Sequence, residues 1–364
     1  MIKQYLSHFK QTLQAFRWAS DRTINSLKTA IACMLGYLLV LFSPLSQPQW
    51  IVITILVVMS AQVTFGGVLI KANMRFWGTL AGGLVAVSAL LIGGNNPWWI
   101  AGVLLISALF FSYIAGSSGD ISAAGVLGGV TVAVIVLNQH ANPIMAGERL
   151  LEIMLGIFIA FIVSKYIFPI RAHTALLESF RETVVDLHKH FNRCLDDGSD
   201  NLTFSNIDLD EKISKSFQNQ RKLIHELAFE PGKFGHQVLP FQKILYSLIK
   251  IYRFINMLYY SEHASEESIS RVKAFIGFSM FQQQVNDFFL KVIPALPANE
   301  KQLLLIKNEF EKYVHDNFIE MVRQNKDNKI AAINAFLFAA KLLTQQLIVL
   351  VEMFNEVNLF KERK

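Results

Sequence analysis

Apolar side chains fill the first half of the chain in six runs, about Ser26 to Phe42, Trp50 to Thr64, Phe76 to Gly93, Trp98 to Ala115, Ile121 to Leu137 and Leu150 to Phe168. Each approaches the roughly 20 residues that a helix needs to cross a hydrocarbon core, the second being the shortest. Breakers separate them: Pro44 with Pro48, Gly66-Gly67, Asn95-Asn96-Pro97, Gly116 to Gly119, and Asn142-Pro143. Links this short predict neighbouring helices packed as hairpins. Ahead of the runs, Ile2, Leu6, Phe9, Leu13 and Phe16 recur at helical spacing among Lys3, Lys10 and Arg17, the pattern of an amphipathic helix lying on the inner leaflet. The first 25 residues lack the apolar stretch of a cleavable signal peptide.

After Pro169 the pattern changes to long amphipathic segments with charged faces, and nothing reads as strand. Helices are predicted near His173 to Leu195, Leu209 to Phe229, Leu239 to Tyr260, Glu266 to Ile293, Glu300 to Arg323 and Lys329 to Phe360. Leu245, Leu248, Ile249, Tyr252, Ile255 and Tyr259 keep one apolar stripe, as a bundle helix should. Ile333 to Phe354 is apolar enough to pass for a seventh span, but Lys341, Thr344, Gln345 and Gln346 near its middle would be costly in lipid. It is assigned instead to the buried centre of the bundle. The expected fold is all-α, a polytopic membrane protein with six transmembrane helices followed by a cytoplasmic helical bundle domain. Its parts are an amphipathic helix over residues 1–25, a transmembrane domain over 26–169 and a cytoplasmic domain over 170–364.

Composition agrees, with 52% hydrophobic and 17% charged residues against about 25% charged in an ordinary globular domain. Between Lys28 and Lys165 the only charged side chains are Lys71, Arg75, Asp120, Glu148, Arg149 and Glu152. Before Pro169 stand nine Lys and Arg against four Asp and Glu; after it the balance is 25 against 24. Excess positive charge in the membrane half suits topology or an anion better than nucleic acid. The cations cluster before the first run, between the second and third, and after the sixth. That places both termini in the cytoplasm and leaves Arg149 alone on the outer side. Cys33 and Cys194 make neither a disulfide framework nor a zinc pattern. With no phosphate-binding loop, dinucleotide fingerprint or H-E-x-x-H, no cofactor, metal or enzymatic activity is expected. Asp186, His190 and Cys194 share a helix face at metal-binding spacing but lack further ligands, and read as a solvated face.

Three places carry candidate chemistry. In Lys71-Ala-Asn-Met-Arg75-Phe-Trp77-Gly78-Thr79-Leu-Ala-Gly82, the glycines form a small-xxx-small face for close helix approach, with Arg75 one turn before it. A cation beside close-packed glycines can hold an anion at the inner mouth; alternatively Arg75 anchors topology by reaching to headgroups. In Glu148-Arg149-Leu-Leu-Glu152-Ile-Met-Leu-Gly156, helical spacing gathers one arginine and two carboxylates. Such a cluster suits proton coupling, or else is an external helix start whose acids favour the helix dipole. Asp120, within a glycine-rich turn, reads as a cation or proton site or as the cap of the fifth helix, which Gly125, Gly128 and Gly129 give a second close-contact face. Arg75 precedes Gly82 by the same interval as Arg149 precedes Gly156, and third and sixth spans are corresponding members of two three-helix halves. That is the pattern of an inverted repeat.

Together these motifs resemble the fusaric acid resistance (FUSC-like) family, which includes aromatic acid exporters and is distantly similar to the aluminium-activated malate transporters. The resemblance rests on six spans followed by a helical domain, on the Arg75 and Arg149 segments, and on Phe168-Pro169 closing the last span. It also rests on Glu230-Pro231-Gly232, which follows Phe229 where that family usually has tryptophan. It implies export or passive conduction of organic anions across a bacterial inner membrane, often by proteins twice this length, so that a homodimer is expected and a periplasmic adaptor is a possible partner. Glu230-Pro231-Gly232 is expected to be a structural turn.

The leading expectation is a proton-linked exporter of small, aromatic carboxylates. Lys71, Arg75, Trp77, Thr79, Asp120 and Arg149 would form the substrate path, Glu148 and Glu152 the proton couple, and Gly78, Gly82, Gly125, Gly129 and Gly156 the helix contacts. A passive anion channel of the same architecture and a membrane-anchored scaffold or sensor with a helical partner-binding domain are the alternatives.

Overall fold

The computed structural model describes residues 21–45, 47–60, 63–138, 143–195, 202–232, 238–263, 272–274, 277–296, 300–324 and 331–362. The amphipathic stretch from Ile2 to Phe16 lies outside them. Every regular element among the described residues is helical, and the chain divides into two compact units, Met1–Ala172 and His173–Lys364.

The first unit contains α1 (Asp21–Phe42), α2 (Gln49–Met59), α3 (Phe65–Gly93), α4 (Pro97–Ala115), α5 (Ile121–Val136) and α6 (Pro143–Tyr166). Three expected boundaries are corrected. The second run stops at Met59, because Thr64 belongs to the next helix as its N-cap, its Oγ1 accepting from the Gly67 backbone N–H at 3.1 Å. Gly66-Gly67 is therefore the first turn of α3, not a breaker, and α3 begins well before Phe76. At 1.5 Å per residue it is about 43 Å long, more than one hydrocarbon thickness. The sixth helix likewise starts at Pro143 rather than Leu150. Asn96 caps α4 through a bond from Trp98 N–H, with Pro97 in the first turn where its missing donor does no harm. Past α6, Phe168 adopts a φ of 45°, a left-handed turn directly before Pro169.

Among the described residues four helical stretches suffice by length and composition to cross a membrane: Thr23–Phe42, Phe65–Gly93, Pro97–Ala115 and Ala331–Val357, while α2 and α5 are shorter apolar helices. The chain is thus an all-α protein with several apolar helices, and Ala331–Val357, expected in the bundle, qualifies on these terms.

Packing in the first unit is paired. α1 lies on α2 and α4 on α5; α2 lies on α6 and α5 on α3; α1 touches α6 and α4 touches α3; α3 and α6 pack on each other. Exchanging each helix with the one three places along maps these contacts onto one another, as an inverted repeat would; α2 packs on α3 as well, with no contact of like extent between α5 and α6 among the described residues. The two apolar cores obey the exchange too. One gathers Ala32, Ile51, Ile55, Val58, Val68 and Ala160, the other Ala86, Leu90, Phe111, Val132 and Ile135.

The second unit contains α7 (Ala172–Leu195), α8 (Leu202–Leu227), α9 (Val238–Glu262), α10 (Phe278–Ala295), α11 (Glu300–Tyr313), a π turn over Val314–Phe318, α12 (Ile319–Gln324) and α13 (Ala331–Glu362). The face Phe180, Val184, Leu187 and Phe191 of α7 is fully buried, with Phe180 edge-on to Phe354 of α13 and Phe191 against Phe281 of α10. α13 packs on α9 and α11, its Phe336 meets Phe278 and Phe281 of α10, and Leu343, Leu347 and Val351 are buried, while Phe338 and Lys341 are exposed. It is a half-buried member of the bundle rather than its centre. Gln346 Nε2 donates to Ser247 Oγ at 2.8 Å, so one of the polar residues that argued against a span is used in packing. In Glu230-Pro231-Gly232, Gly232 takes a φ of 133°, a value only glycine adopts freely, as the expected turn requires.

Candidate functional site

α2 is apolar except for a polar edge made by Gln47 just before it, Trp50 and Thr54, spaced so that they share one side of the helix. Both arginines singled out from the sequence converge on this edge. Arg75, from α3, is 3% exposed and donates from Nε to Thr54 Oγ1 at 3.2 Å. Arg149, from α6, is 4% exposed, with its guanidinium 3.3 Å above the centroid of the Trp50 ring. It also donates to Gln47 Oε1 at 3.3 Å and pairs with Glu152 at 3.8 Å. Glu152, itself 1% exposed, accepts from the Gln47 backbone N–H at 3.1 Å. Arg149 lies within electrostatic reach of Arg75.

Among the described residues no carboxylate pairs with Arg75. Two guanidiniums and the ion-paired Glu152 carboxylate stand inside packed apolar helices, with Glu148 at the edge of the same region. A cavity of about 20 Å³ opens beside it, lined by Gln47, Val134, Ile135, Asn138, Glu148, Arg149 and Glu152, room for about one water molecule.

The glycines explain how the helices come so close. A Cβ on Gly82 would stand 2.4 Å from the Gly128 carbonyl oxygen and 3.0 Å from Thr131 Cβ; a Cβ on Gly156 would stand 2.7 Å from the Ile51 carbonyl oxygen and 2.6 Å from Thr54 Cβ. These contacts correspond residue for residue: Gly82 to Gly156 at the offset that relates Arg75 to Arg149, and Gly128 to Ile51 and Thr131 to Thr54 at a second offset common to those two pairs. Gly78, with its Cβ position 2.5 Å from the Ala124 carbonyl oxygen, corresponds to Glu152 on Gln47. Gly125 is equally tight, 2.5 Å from the Ala115 nitrogen. Gly129 is not a close-contact glycine; its Cβ would meet Phe111 Cβ at an ordinary 3.4 Å, and Gly128 takes that place.

The remaining expected residues sit apart. Lys71 is half-buried one turn before Arg75, inside α3 rather than in a loop. Thr79 is buried, whereas Trp77 is 55% exposed and edge-on to Phe76, facing away from the arginines. Asp120 precedes α5 without a side-chain capping bond to it. Glu148 lines the small cavity but is not among the residues in contact with Arg149.

The face Asp186, His190 and Cys194 is not solvated: all three are buried, at 2%, 3% and 5% exposure. Asp186 pairs with Lys212 at 2.8 Å, and His190 meets Asn256 Oδ1 at 2.6 Å and Asp210 at 3.6 Å. Burial, with Asp210 and Glu262 nearby, pushes the Cys194 thiol up to about 12. Among the described residues no cluster of three or more His, Cys, Asp or Glu is placed to hold a metal ion.

Sequence reasoning passed over Gln47, Trp50 and Thr54. The signal was Thr54, the one hydroxyl within Gln49–Met59, an otherwise apolar helix. Lys28, by charge one of the cations at the start of the first run, lies within α1 and is 1% exposed.

Comparison with individual curated proteins gives no match. Comparison with protein families matches residues 22–266, taking in all of the first unit's helices and the start of the second unit, to the fusaric acid resistance protein family. The chain belongs to the fusaric acid resistance protein family and is a membrane transport protein.

Proposed function

We propose that this protein exports small organic anions, aromatic carboxylates among them, across the bacterial inner membrane, with protons coupled through Glu152 and two copies forming the working unit. In this reading α1 to α6 are the six spans and the second unit is a cytoplasmic bundle. The carrying observation is Arg75. A guanidinium buried at 3% exposure with only a neutral threonine hydroxyl against it is costly in low-dielectric surroundings, and a negative solute offsets that cost. Arginine suits the task, since its planar fork matches a carboxylate and stays charged at any physiological pH.

Glu152 competes with the solute for Arg149. While ionised it holds the arginine in the ion pair; once protonated it releases Arg149 to a substrate carboxylate, so that proton and anion exchange places. Trp50, stacked on Arg149, offers an aromatic face to the ring of such a substrate. The cavity beside this group admits about one water, which supports a closed, alternating transporter over a standing pore. The exposed apolar side of α4, including Trp98, Leu105, Leu109 and Tyr113, suits lipid or a second copy.

The test is flux of radiolabelled benzoate and fusarate in proteoliposomes under an imposed pH gradient. Gradient-driven accumulation is expected in the unmodified protein, and its loss in Arg75→Gln. Flux that ignores the gradient would remove the coupling; full activity of Arg75→Gln would remove the anion site.

A further inference from the structure

We infer that Lys28, with the hydroxyl of Ser164, forms a third binding station for the transported anion, at the end of the first unit where α1 begins and α6 finishes. The inference rests on the anion-transport reading above.

α1 and α6 pack on each other and, being first and last of six helices joined by reversals, run antiparallel. Ala32 of α1 and Ala160 of α6 belong to one buried cluster. One turn from Ala32 toward the start of α1 stands Lys28, 1% exposed; one turn past Ala160 stands Ser164, 0% exposed. Among the described residues no carboxylate pairs with the Lys28 ammonium and no hydrogen bond reaches it, and Ser164 Oγ is buried with no hydrogen-bond partner. The polar residues around Lys28 on α1 are already satisfied: Asn25 Nδ2 donates to the Met59 carbonyl at 3.2 Å and Thr29 Oγ1 to the Asn25 carbonyl at 2.8 Å. The unmet demand therefore falls on one ammonium and one hydroxyl.

A lysine near the end of a membrane helix ordinarily reaches out to headgroups along its flexible stem. Lys28 does not: its side chain lies at 1% exposure with no ion pair to any described residue. A single carboxylate answers both groups, accepting from the ammonium and from the serine O–H. Its place along α2 makes the role coherent. Arg149 meets α2 at Trp50, Arg75 meets it at Thr54, and the turn carrying Lys28 meets it at Met59 through Asn25. Helical rise separates these levels on α2 by about 6 Å and about 7.5 Å, which sets the three cations in order along one helix.

The experiment is benzoate flux in proteoliposomes, measured against concentration for Lys28→Gln, Lys28→Arg, Ser164→Ala and, as reference, Arg75→Gln. Lys28→Gln is expected to raise the KM for benzoate at least tenfold with unchanged elution in detergent, Lys28→Arg to restore most of it, and Ser164→Ala to raise KM several-fold. In a background with Cys33 and Cys194 replaced by alanine, Lys28→Cys treated with a cationic aminoethyl thiosulfonate should regain flux, and the sulfonate-bearing analogue should not. An unchanged KM in Lys28→Gln beside lost flux in Arg75→Gln would overturn the station and leave the anion path standing. Absence of benzoate and fusarate flux in the unmodified protein would overturn the path and the station together. Should Lys28→Gln fail to fold, Ser164→Ala and the charge-restored cysteine decide: an unchanged KM in the first and no rescue in the second overturn the proposal.

Discussion

Gly82 and Gly83 are adjacent in α3, and replacing each by alanine should move stability in opposite directions. A Cβ at Gly82 would lie 2.4 Å from the Gly128 backbone oxygen, where ordinary contact begins at 3.4 Å; at Gly83 nothing stands within 4 Å. Alanine is the better helix former by about 1 kcal/mol at either site. At Gly83 that gain is kept. At Gly82 it is opposed by the displacement of α5 by about 1 Å, and because the obstacle is main chain it cannot rotate aside. Overpacking of this kind costs about 1–3 kcal/mol and occasionally more. The expected result is destabilisation by about 1–2 kcal/mol for Gly82→Ala and stabilisation by up to about 1 kcal/mol for Gly83→Ala. Gly156→Ala should follow Gly82→Ala, because its Cβ would meet the Ile51 carbonyl and Thr54 Cβ. Unfolding of the purified protein in mixed micelles, titrated with a denaturing detergent and followed by tryptophan fluorescence, gives the three values on one scale. Equal stabilities for Gly82→Ala and Gly83→Ala would refute the close approach of α3 to α5, and with it the corresponding approach of α6 to α2.

Two further outcomes follow. Glu152→Gln keeps the size of the side chain and an oxygen for the Gln47 N–H but cannot carry the ion pair with Arg149; benzoate flux in proteoliposomes should persist downhill and lose its response to an imposed pH gradient, whereas a gradient response equal to the unmodified protein would assign coupling elsewhere. Cys194, whose thiol burial pushes up to about 12, should react with a chromogenic disulfide at pH 8 at least about 100-fold more slowly in the folded Cys33→Ala protein than after denaturation, since only the thiolate attacks. The linked effect on stability has a definite sign: the folded state holds the thiol proton that the unfolded chain releases near pH 8.5, so this contribution is complete below that pH and is lost as pH rises toward 12. Ready labelling of the folded protein at pH 8 would contradict the burial.

Much of the site was legible because glycine and arginine are rare and conspicuous in apolar helices. Gly78, Gly82 and Gly156 at small-residue spacing announced close approach, and Arg75 and Arg149 announced charge within it. Depth was misread where local signals compete. Gly66-Gly67 suggests a break, yet Thr64 caps the helix at that point, and once α3 starts at Phe65 both Lys71 and Arg75 fall inside it. Spacing puts Gly125, Gly128 and Gly129 on one stretch of α5 but does not say from which side the neighbour comes; Phe111 and Gly82 both lie toward Gly128. Polar residues at helical spacing gave the face Asp186, His190 and Cys194 a solvated look. Their partners Lys212, Asn256 and Asp210 come from other helices, and no local pattern foretells them. Thr54 and Lys28 sit among few polar neighbours in apolar helices, too few to show a period that betrays which way they point.

The correspondence between the halves breaks where α2 packs on α3 without a like contact of α5 on α6, and again at an acid. Gly82 and Gly156, Thr131 and Thr54, and Arg75 and Arg149 are matched in kind, so the skeleton of the repeat and its cations are duplicated. The carboxylate is not. Where α6 carries Glu152 against Gln47, α3 carries Gly78 against the Ala124 backbone, a position too tight for any side chain. Arg149 therefore has an internal anion and Arg75 has none, and the inequality is built into the packing rather than added at the surface. Had both halves kept an acid, each arginine would be neutralised in place and a negative solute would have to displace two carboxylates. With Glu152 paired to Arg149 and no carboxylate on Arg75 among the described residues, the unit keeps a standing positive charge at Arg75 and a switchable one at Arg149. That is the minimum arrangement by which a single proton, arriving at Glu152, changes how strongly the path holds an anion.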